Sequence, residues 1–467
     1  MDLTDDATRA RWRQHLGDLF RDRKVICGIA PLAGFSDWVT LLAEVGAQRP
    51  LVVASGVGAG PVPGADEAEV VFLDVPQSES MTEELRAQDG IARRLPDEVV
   101  AAVERYDPDG RALWMVGPFM GTAPLLGREV VGGRPAAWTA LEDKLLVDAL
   151  WDTVGAPRAG SRSVPVDRES VRATADGLDE GAGVVLTGDA RDGFNGGGDF
   201  VRWVVTDDDL DRALRFFRPR CDRVRVMPFL DGVPCSVHGM VLPTGTAAFR
   251  PVELAILRGE QRRFVYGGQG TTWDPPASDR TWMRELVSRT GEQLRKLVGY
   301  RGAFGIDGVL TRDGFRPTEL NSRLSGGLAA MTKQVDTGLF TLLQLNLLHG
   351  RDVGVAPDEL EAWAVPAMDA VRVCRAIAVV PVRVAAEPFD VHVHWDGADL
   401  QRSWDPTGWR VEVGPNPAGT FCRVAVPADQ IDGVRVGALN AALMRFLDAE
   451  LGTRIGPVTA PPDVRAP

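Results

Sequence analysis

The chain has 467 residues, enough for two to four domains and a substantial buried core. Hydrophobic residues make up 45% and charged ones 25%, which excludes a disordered chain. A net charge of -13 argues against a nucleic-acid or anionic-membrane partner held by bulk attraction, and any polyanionic ligand must be met by local cations. Lysine occurs only at Lys24, Lys144, Lys296 and Lys333, so nearly all positive charge is arginine. Cys27, Cys221, Cys235, Cys374 and Cys422 are scattered and never form Cys-x-x-Cys, which argues against structural zinc and a disulfide framework. No apolar run approaches the roughly 18 residues of a membrane span, and no basic-then-apolar leader opens the chain. A cytoplasmic enzyme is expected.

Trp12, Leu16, Leu19 and Phe20 recur at helical spacing across residues 4–22. Strands follow at 24–30, 51–54, 69–73 and 112–116, with a helix at 36–45, a capping box at Ser80–Glu83 and a helix begun by Pro96. Residues 1–135 are therefore expected to form a small α/β domain. Gly56, Gly58 and Gly60 follow a strand, but Pro61 and Pro63 break the helix that a dinucleotide fingerprint requires, so a nicotinamide site is not expected.

Thr139-Ala140-Leu141-Glu142 reads as a second capping box, opening a helix that runs to Gly155 with Lys144 in its first turns. A cation is unfavourable at the positive end of a helix dipole, so Lys144 there suggests an anionic partner; a solvated surface lysine is the alternative. A strand ending at Thr187 leads into the loop 188–199, where Gly196, Gly197 and Gly198 leave backbone amides open to close approach by phosphate oxygens. The next strand, 200–205, is followed by a helix capped by Asp207, Asp208 and Asp209. The run Arg223–Gly232 carries the apolar Met227, Phe229 and Leu230, which suit walls around a planar ring and equally suit an ordinary core strand.

Strands at 236–242 and 246–256 come next. Glu253 is expected either to orient a substrate or to be a paired structural acid, and Arg258, Arg262 and Arg263 are candidates for phosphates or an acid substrate. Gly267-Gly268-Gln269-Gly270 reads as a flexible loop, and 279–298 as a long helix. In the stretch 302–323, Asp313-Gly314 marks a hairpin turn; a three-residue loop 312–314 places Asp307 opposite Glu319. Strand alternation adds Asn321 to the same side and, if the extension continues, Arg323. Two carboxylates and an amide oxygen on one face suit a hard divalent cation that keeps substrate phosphates among its ligands, whereas a solvated acidic edge is the plain alternative. Residues 329–348 read as one helix whose free amides, beside Ser325-Gly326-Gly327, offer a docking place for a substrate carboxylate.

This stretch resembles the catalytic signature of the ATP-grasp superfamily of carboxylate–amine ligases: an acid on one strand, Glu-x-Asn-x-Arg on the next, then a small-residue loop. The resemblance covers roughly residues 139–350. It implies that Asp307, Glu319 and Asn321 hold Mg2+, that Arg323 and Asn321 serve the transferred phosphoryl group, and that Lys144, Thr187, Gly196, Gly197, Gly198, Met227, Phe229 and Leu230 bind ATP. Glu253, Arg258, Ser325, Gly326 and Gly327 are expected on the substrate side. The family's usual lysine at the end of the strand before the glycine loop is missing; Leu186-Thr187 stands there, with Arg191 or Arg202 as candidate replacements.

Residues 365–467 say less. Strands are expected at 371–384 and 391–395, a helix at 433–451, and a loose proline-rich end. His392 and His394 share a strand face, but no third metal ligand is in sight. The expected architecture is α/β and α+β, multidomain: a leading α/β domain (1–135), a two-lobed ATP-grasp core (136–230 and 231–360) and a trailing α+β accessory domain (361–467) for substrate or homodimer contacts. The layout is similar to pheganomycin-type peptide ligases. The expected activity is ATP-dependent joining of an amino-acid or peptide carboxylate to an amine. A ligase of two free amino acids, or a nucleotide-binding regulator without catalysis, stands as the alternative.

Overall fold

The computed structural model describes residues 1–333, 335–426, 430–431 and 433–465. Its first layer is a five-stranded parallel sheet, ordered Glu69–Phe72, Leu51–Ala54, Val25–Ala30, Leu113–Val116, Val130–Val131. Strands covered on both faces must be apolar throughout, and Val25, Ile26, Leu51, Val52 and Val53 are fully buried. Strand order reverses between Val25–Ala30 and Leu113–Val116, and the crevice outside the carboxyl ends at such a reversal is where open α/β sheets take ligands. Phe119 lies just beyond that end.

The second layer is a four-stranded antiparallel sheet, ordered Arg162–Pro165, Arg223–Pro228, Val184–Gly188, Val201–Val204, with a core of its own under the helices Arg168–Leu178 and Asp207–Phe217. The second of these helices is capped by Thr206, whose hydroxyl and amide exchange bonds with Asp209.

The third layer is a twelve-stranded antiparallel sheet. It runs from the hairpin Gly302–Thr311 and Gly314–Asn321 through Val233–Leu242, Val252–Gly259 and Phe264–Gly270 into Cys374–Val380, Gly419–Ala425, Trp409–Asn416, Phe389–Trp395 and Leu400–Arg402. Strands from both sides of residue 360 thus belong to one sheet. The first layer shares its largest core with the helices Thr337–Leu348 and Pro357–Ala370, and the Trp12 indole donates to Val353 O at 2.8 Å. No helix among the described residues is long and apolar enough to cross a membrane.

Four local expectations are corrected. The helix expected from 139 to 155 is a short helix Ala136–Thr139, a 3-10 turn Ala140–Glu142 and a separate helix Val147–Thr153; Thr139 makes no capping bond, because the Glu142 carboxylate binds arginines instead. Lys144 therefore sits in a connecting segment, not in a helix's first turns. Residues 329–348 divide into Gly326–Thr332 and Thr337–Leu348, the second capped by the Asp336 carboxylate on Leu339 N at 2.9 Å. Gly267–Gly270 is not a flexible loop but the end of a buried strand: a Cβ on Gly267 would lie 1.6 Å from Asn440 Oδ1, and one on Gly268 1.9 Å from Arg375 O. The proline-rich end is not loose either, since Val458–Thr459 pairs with Arg258–Gly259 and Arg465 donates to Arg312 O at 2.7 Å.

Candidate active site

A cavity of about 460 Å³ opens where the three layers meet. Its floor is the hairpin, and the hairpin's register is unusual. The turn has two residues, Arg312 and Asp313, so Thr311 pairs with Gly314, Leu310 with Phe315, Val309 with Arg316 and Gly308 with Pro317. The expected three-residue loop is thus corrected: continued without interruption, this register would pair Asp307 with Thr318 and turn Glu319 to the other face. A bulge at Thr318 restores the phase, and Asp307 pairs with Glu319 after all. The bulged residue is tied down by its own hydroxyl, which donates to Asp307 O at 3.2 Å.

Around this pair the charges are arranged in two groups. Asn321 Nδ2 donates to Asp307 Oδ2 at 2.8 Å, and Lys144 Nζ donates to Glu319 Oε1 at 2.7 Å. Burial, followed by the facing Glu319, pushes the Asp307 carboxyl up to about 6, against Ser236, Arg323 and Asn321. The second group is built on Glu142. Its carboxylate ion-pairs with Arg323 and, at 2.6 Å, with Arg134, which also donates to Ser322 O at 3.0 Å. Burial alone would raise Glu142, but the two guanidiniums of Arg323 and Arg134 hold it below the usual carboxylate range. Arg323 further lies over the contacting rings of Phe119 and Phe194, 5.0 and 5.1 Å from their centroids. One side of its guanidinium is thereby fixed and the residue still lines the cavity.

Between the hairpin and the far end of the cavity, Thr187 and Arg225 are partners across adjacent strands, and Arg225 Nη1 reaches Thr318 O at 3.5 Å. Val224 and Val226 point into the lobe's core, so Arg225 points to the cavity, where Asp148 holds it at 2.9 and 2.6 Å. Neither candidate for the missing lysine reaches the cavity: Arg191 pairs with Asp192 and Asp222, and Arg202 lies over Phe216. Arg225 is the cation that stands beside Thr187. The alternation Arg223-Val224-Arg225-Val226 carried that signal, because a half-buried strand must turn its arginines away from its valines.

Met227, Phe229 and Leu230 line the far end. The Phe229 N–H donates to Gly183 O at 2.9 Å and so is not free for a ligand. Its ring lies parallel to Phe264 and stacks on Trp203, with centroids 4.2 Å apart in the latter pair. Arg258 stacks on Phe229 and donates to Asp231 at 2.6 Å, which places it at this apolar end rather than beside the acids. Glu253 is buried outside the cavity, where Arg435 takes both its oxygens at 2.8 and 2.7 Å.

Gly196, Gly197 and Gly198 line the cavity, but their loop is held by the first layer. Thr82 Oγ1 donates to Gly196 O and accepts from Gly196 N, both at 3.0 Å; Thr82 N donates to Asp199 at 2.9 Å; Arg86 reaches Phe194 O at 3.0 Å and Asn195 Oδ1 at 2.7 Å. Nothing in the sequence linked residues 82 and 196.

The last quarter of the wall is formed by Ser236, His238, Tyr266 and Ser325–Gly327. Gly327 must lack a side chain, since a Cβ would come 2.5 Å from the His238 ring. Burial pushes His238 down to about 3, so it is neutral, and the Ser325 hydroxyl is buried without a partner among the described residues. Among the described residues no group of three or more His, Cys, Asp or Glu gathers as a metal cage. The residues present nevertheless fit magnesium, which is bound by one or two carboxylates together with substrate phosphates. Asp307 and Glu319 are the two carboxylates that would serve, and burial together with the facing Glu319 raises the Asp307 carboxyl.

Comparison with protein-family models and with curated proteins gives no match. Among solved structures, the chain is similar to the biotin carboxylase domain of the 2-oxoglutarate carboxylase of Hydrogenobacter thermophilus, solved with MgADP and bicarbonate (TM-score 0.53, 13% identity, 87% of this chain and 86% of that one). It is also similar to an L-amino acid ligase from Bacillus licheniformis (0.51, 13%, 92% and 98%) and to the carboxyaminoimidazole ribonucleotide synthase of Aspergillus clavatus, solved with ATP (0.51, 12%, 95% and 100%). The fold is therefore the mixed α/β, multidomain ATP-grasp arrangement.

Proposed function

We propose that this chain is an ATP-dependent carboxylate–amine ligase that forms an amide through an acyl phosphate. The observation that carries the reading is the convergence on one cavity of Asp307, Glu319, Asn321, Lys144, Arg225 and Arg323. Solved structures of the same fold, bound to ATP or MgADP, support a nucleotide there.

A carboxylate oxygen of the first substrate attacks the γ-phosphorus, the β–γ bridging bond breaks and ADP leaves. The amine nitrogen of the second substrate then attacks the acyl carbon, phosphate leaves, and the nitrogen loses its proton. Such chemistry depends on positioning and charge neutralisation more than on covalent help from the protein. Asp307 and Glu319 would hold magnesium, whose charge would offset that of the phosphates. Arg225 and Lys144 flank the phosphate path. Arg323, pinned by Glu142 and the two phenyl rings, faces the transferred group with one fixed orientation, so little reorganisation is needed as charge develops. The layers around Phe229 and Phe264 give the base an apolar slot, and the loop held by Thr82 and Arg86 excludes water.

Within this class, the large leading and trailing segments favour a peptide ligase of pheganomycin type working in the cytoplasm on amino-acid or peptide carboxylates and amines. The regulator alternative rested on the missing loop lysine, and Arg225 weakens it. A screen of amino acids and peptides for ATP-dependent mass gain, with ADP release as the second readout, tests the reading. ADP release that requires both an acid and an amine is expected; nucleotide binding with no turnover across the panel would overturn it.

A further inference from the structure

The ladder between Val233–Leu242 and Val252–Gly259 is short: Cys235 faces Glu253 and Ser236 faces Val252, and no further pair joins them among the described residues. Beyond Glu253 the two strands part. Along the parted stretch, Ala255 and Leu257 point into the core beneath the helix Val436–Leu451. By strand alternation Leu254, Ile256 and Arg258 turn to the other face, and all three line the cavity. Phe264–Gly270 occupies one edge of this strand, so the apolar end of the cavity lies along the edge that Val233–Leu242 has left.

The segment 457–465 takes that edge. Val458 faces Gly259 and Thr459 faces Arg258, antiparallel. Val458 belongs to the core that holds Ala255 and Leu257, and Ala460 packs against it, its Cβ 3.1 Å from where a Cβ on Gly437 would stand. Thr459 and Pro461 therefore turn to the cavity side, and Pro461 is one of the lining residues. Continued in the same register, Pro461 comes beside Ile256. Past it the segment is fastened again: Asp463 accepts from Trp273 Nε1 at 2.8 Å, while Arg465 pairs with Asp279 and donates to Arg312 O at 2.7 Å, at the turn of the hairpin that carries Asp307 and Glu319. Pro461 and Pro462 stand between the two fastenings, each with one backbone torsion fixed by its ring. The strip is thus held against the cavity from both ends.

We propose that this segment is a binding element for the nucleotide's base, with the Pro461 ring packed against it. The inference rests on the ligase reading, which puts the base at the apolar end, and deepens it: one wall of the slot comes from outside the stretch 139–350 that carries the family resemblance. A planar ring gains from each apolar surface that keeps water off it, and proline offers such a surface with no side-chain entropy to lose. The segment also backs Arg258, whose guanidinium lies over the Phe229 ring at 5.0 Å from its centroid. Holding that strand in place holds one side of the aromatic stack.

Calorimetric titration of the full chain with MgADP, and with magnesium tripolyphosphate, which has no base, tests the proposal. Pro461→Gly should weaken MgADP roughly 5-fold, and Pro461→Trp, which fills the slot, roughly 10-fold or more, with the affinity for tripolyphosphate unchanged in both. Pro462→Gly frees the backbone in the same way at a residue that faces solvent, and it should bind MgADP as wild type does. In wild type, amide hydrogen exchange at residues 458–460 should slow when MgADP binds, a readout that needs no variant to fold. MgADP bound equally by wild type and both Pro461 variants, or weakened as much by the change at Pro462, would overturn the proposal. So would exchange in the segment that MgADP leaves unaltered, or a loss of MgADP and tripolyphosphate affinity to the same extent, which would make Pro461 a support of the fold alone. If wild type fails to bind MgADP, the ligase reading falls, and this inference with it.

Discussion

Asp307 and Glu319 face one another in a buried hairpin, and their chemistry follows from that single pairing. Glu319→Gln keeps the shape and removes one charge, so ADP formation should drop roughly 100- to 1000-fold while circular dichroism and the melting curve stay those of a folded protein. Wild-type turnover would remove Glu319 from the site. Asp307 gives a pH signature. Burial and Glu319 raise it from 3.8 to about 6, so the folded state favours its protonated form. Its contribution to stability is complete below about pH 3.8 and is lost as pH rises through about 6. The metal-free protein should therefore melt at lower temperature at pH 7 than at pH 5, and stabilisation by magnesium with ADP should grow across the same window. A melting temperature that Asp307→Asn leaves with the same pH dependence would contradict this. The facing of the two acids was legible from residue types and strand phase, but the path to it was not: a two-residue turn and a bulge at Thr318 offset each other, and a bulge leaves no mark in hydrophobic alternation. Glu142 was misread for a different reason. Its spacing from Thr139 satisfies a local capping pattern, and the bonds that displaced the cap come from Arg134, outside that pattern, and from Arg323, far along the chain.

At the scale of elements, the glycine loop 188–199 is positioned by the helix Met81–Arg93 rather than by its own lobe alone. Thr82→Val is close to isosteric and leaves the half-buried Gly196 N–H without its acceptor, a loss of about 1 kcal/mol. The loop should then exchange amide hydrogens and be cut by protease faster, and the KM for ATP should rise with little change in the amount of folded protein. Glu84 on the same helix adds a pH dependence. Burial raises it from 4.5 to about 7, opposed by a hydrogen bond from Asn416. Docking of the helix is therefore strongest below about pH 4.5 and weakens as pH rises through about 7, so protection of the loop should be lower at pH 8 than at pH 6. In Glu84→Gln that slope should flatten. The capping serine and the glycines could each be read from the sequence; their meeting could not, since no periodicity connects an α/β domain's third helix to a loop more than a hundred residues later.

At the scale of the whole molecule, the trailing segment completes the twelve-stranded layer. Strand Cys374–Val380 extends the sheet from the edge of Phe264–Gly270, and the helix Val436–Leu451 covers Ala255, Leu257 and Val265. The Asn440 amide fits into the space left by Gly267, which explains why that strand is glycine-rich. Val458–Thr459 adds a strand beside Arg258, and Pro461 reaches the cavity wall. The strands within 371–384 and 391–395 and the helix within 433–451 were legible in the sequence, but where they dock was not, because the information that places them lies in the shape of the strand they join. A chain ending at Ala370 would expose an unpaired sheet edge together with the apolar face beneath the helix. Such an edge pairs with other chains unless it is covered or charged. The truncated chain should therefore be recovered in aggregates, whereas the full chain elutes as a defined species on size-exclusion chromatography. A soluble 1–370 fragment that binds MgADP as tightly as the full chain would make residues 371–467 separable. Loss of both solubility and binding is expected, because the strands that frame the apolar end of the cavity, Val252–Gly259 and Phe264–Gly270, depend on that segment for their other face.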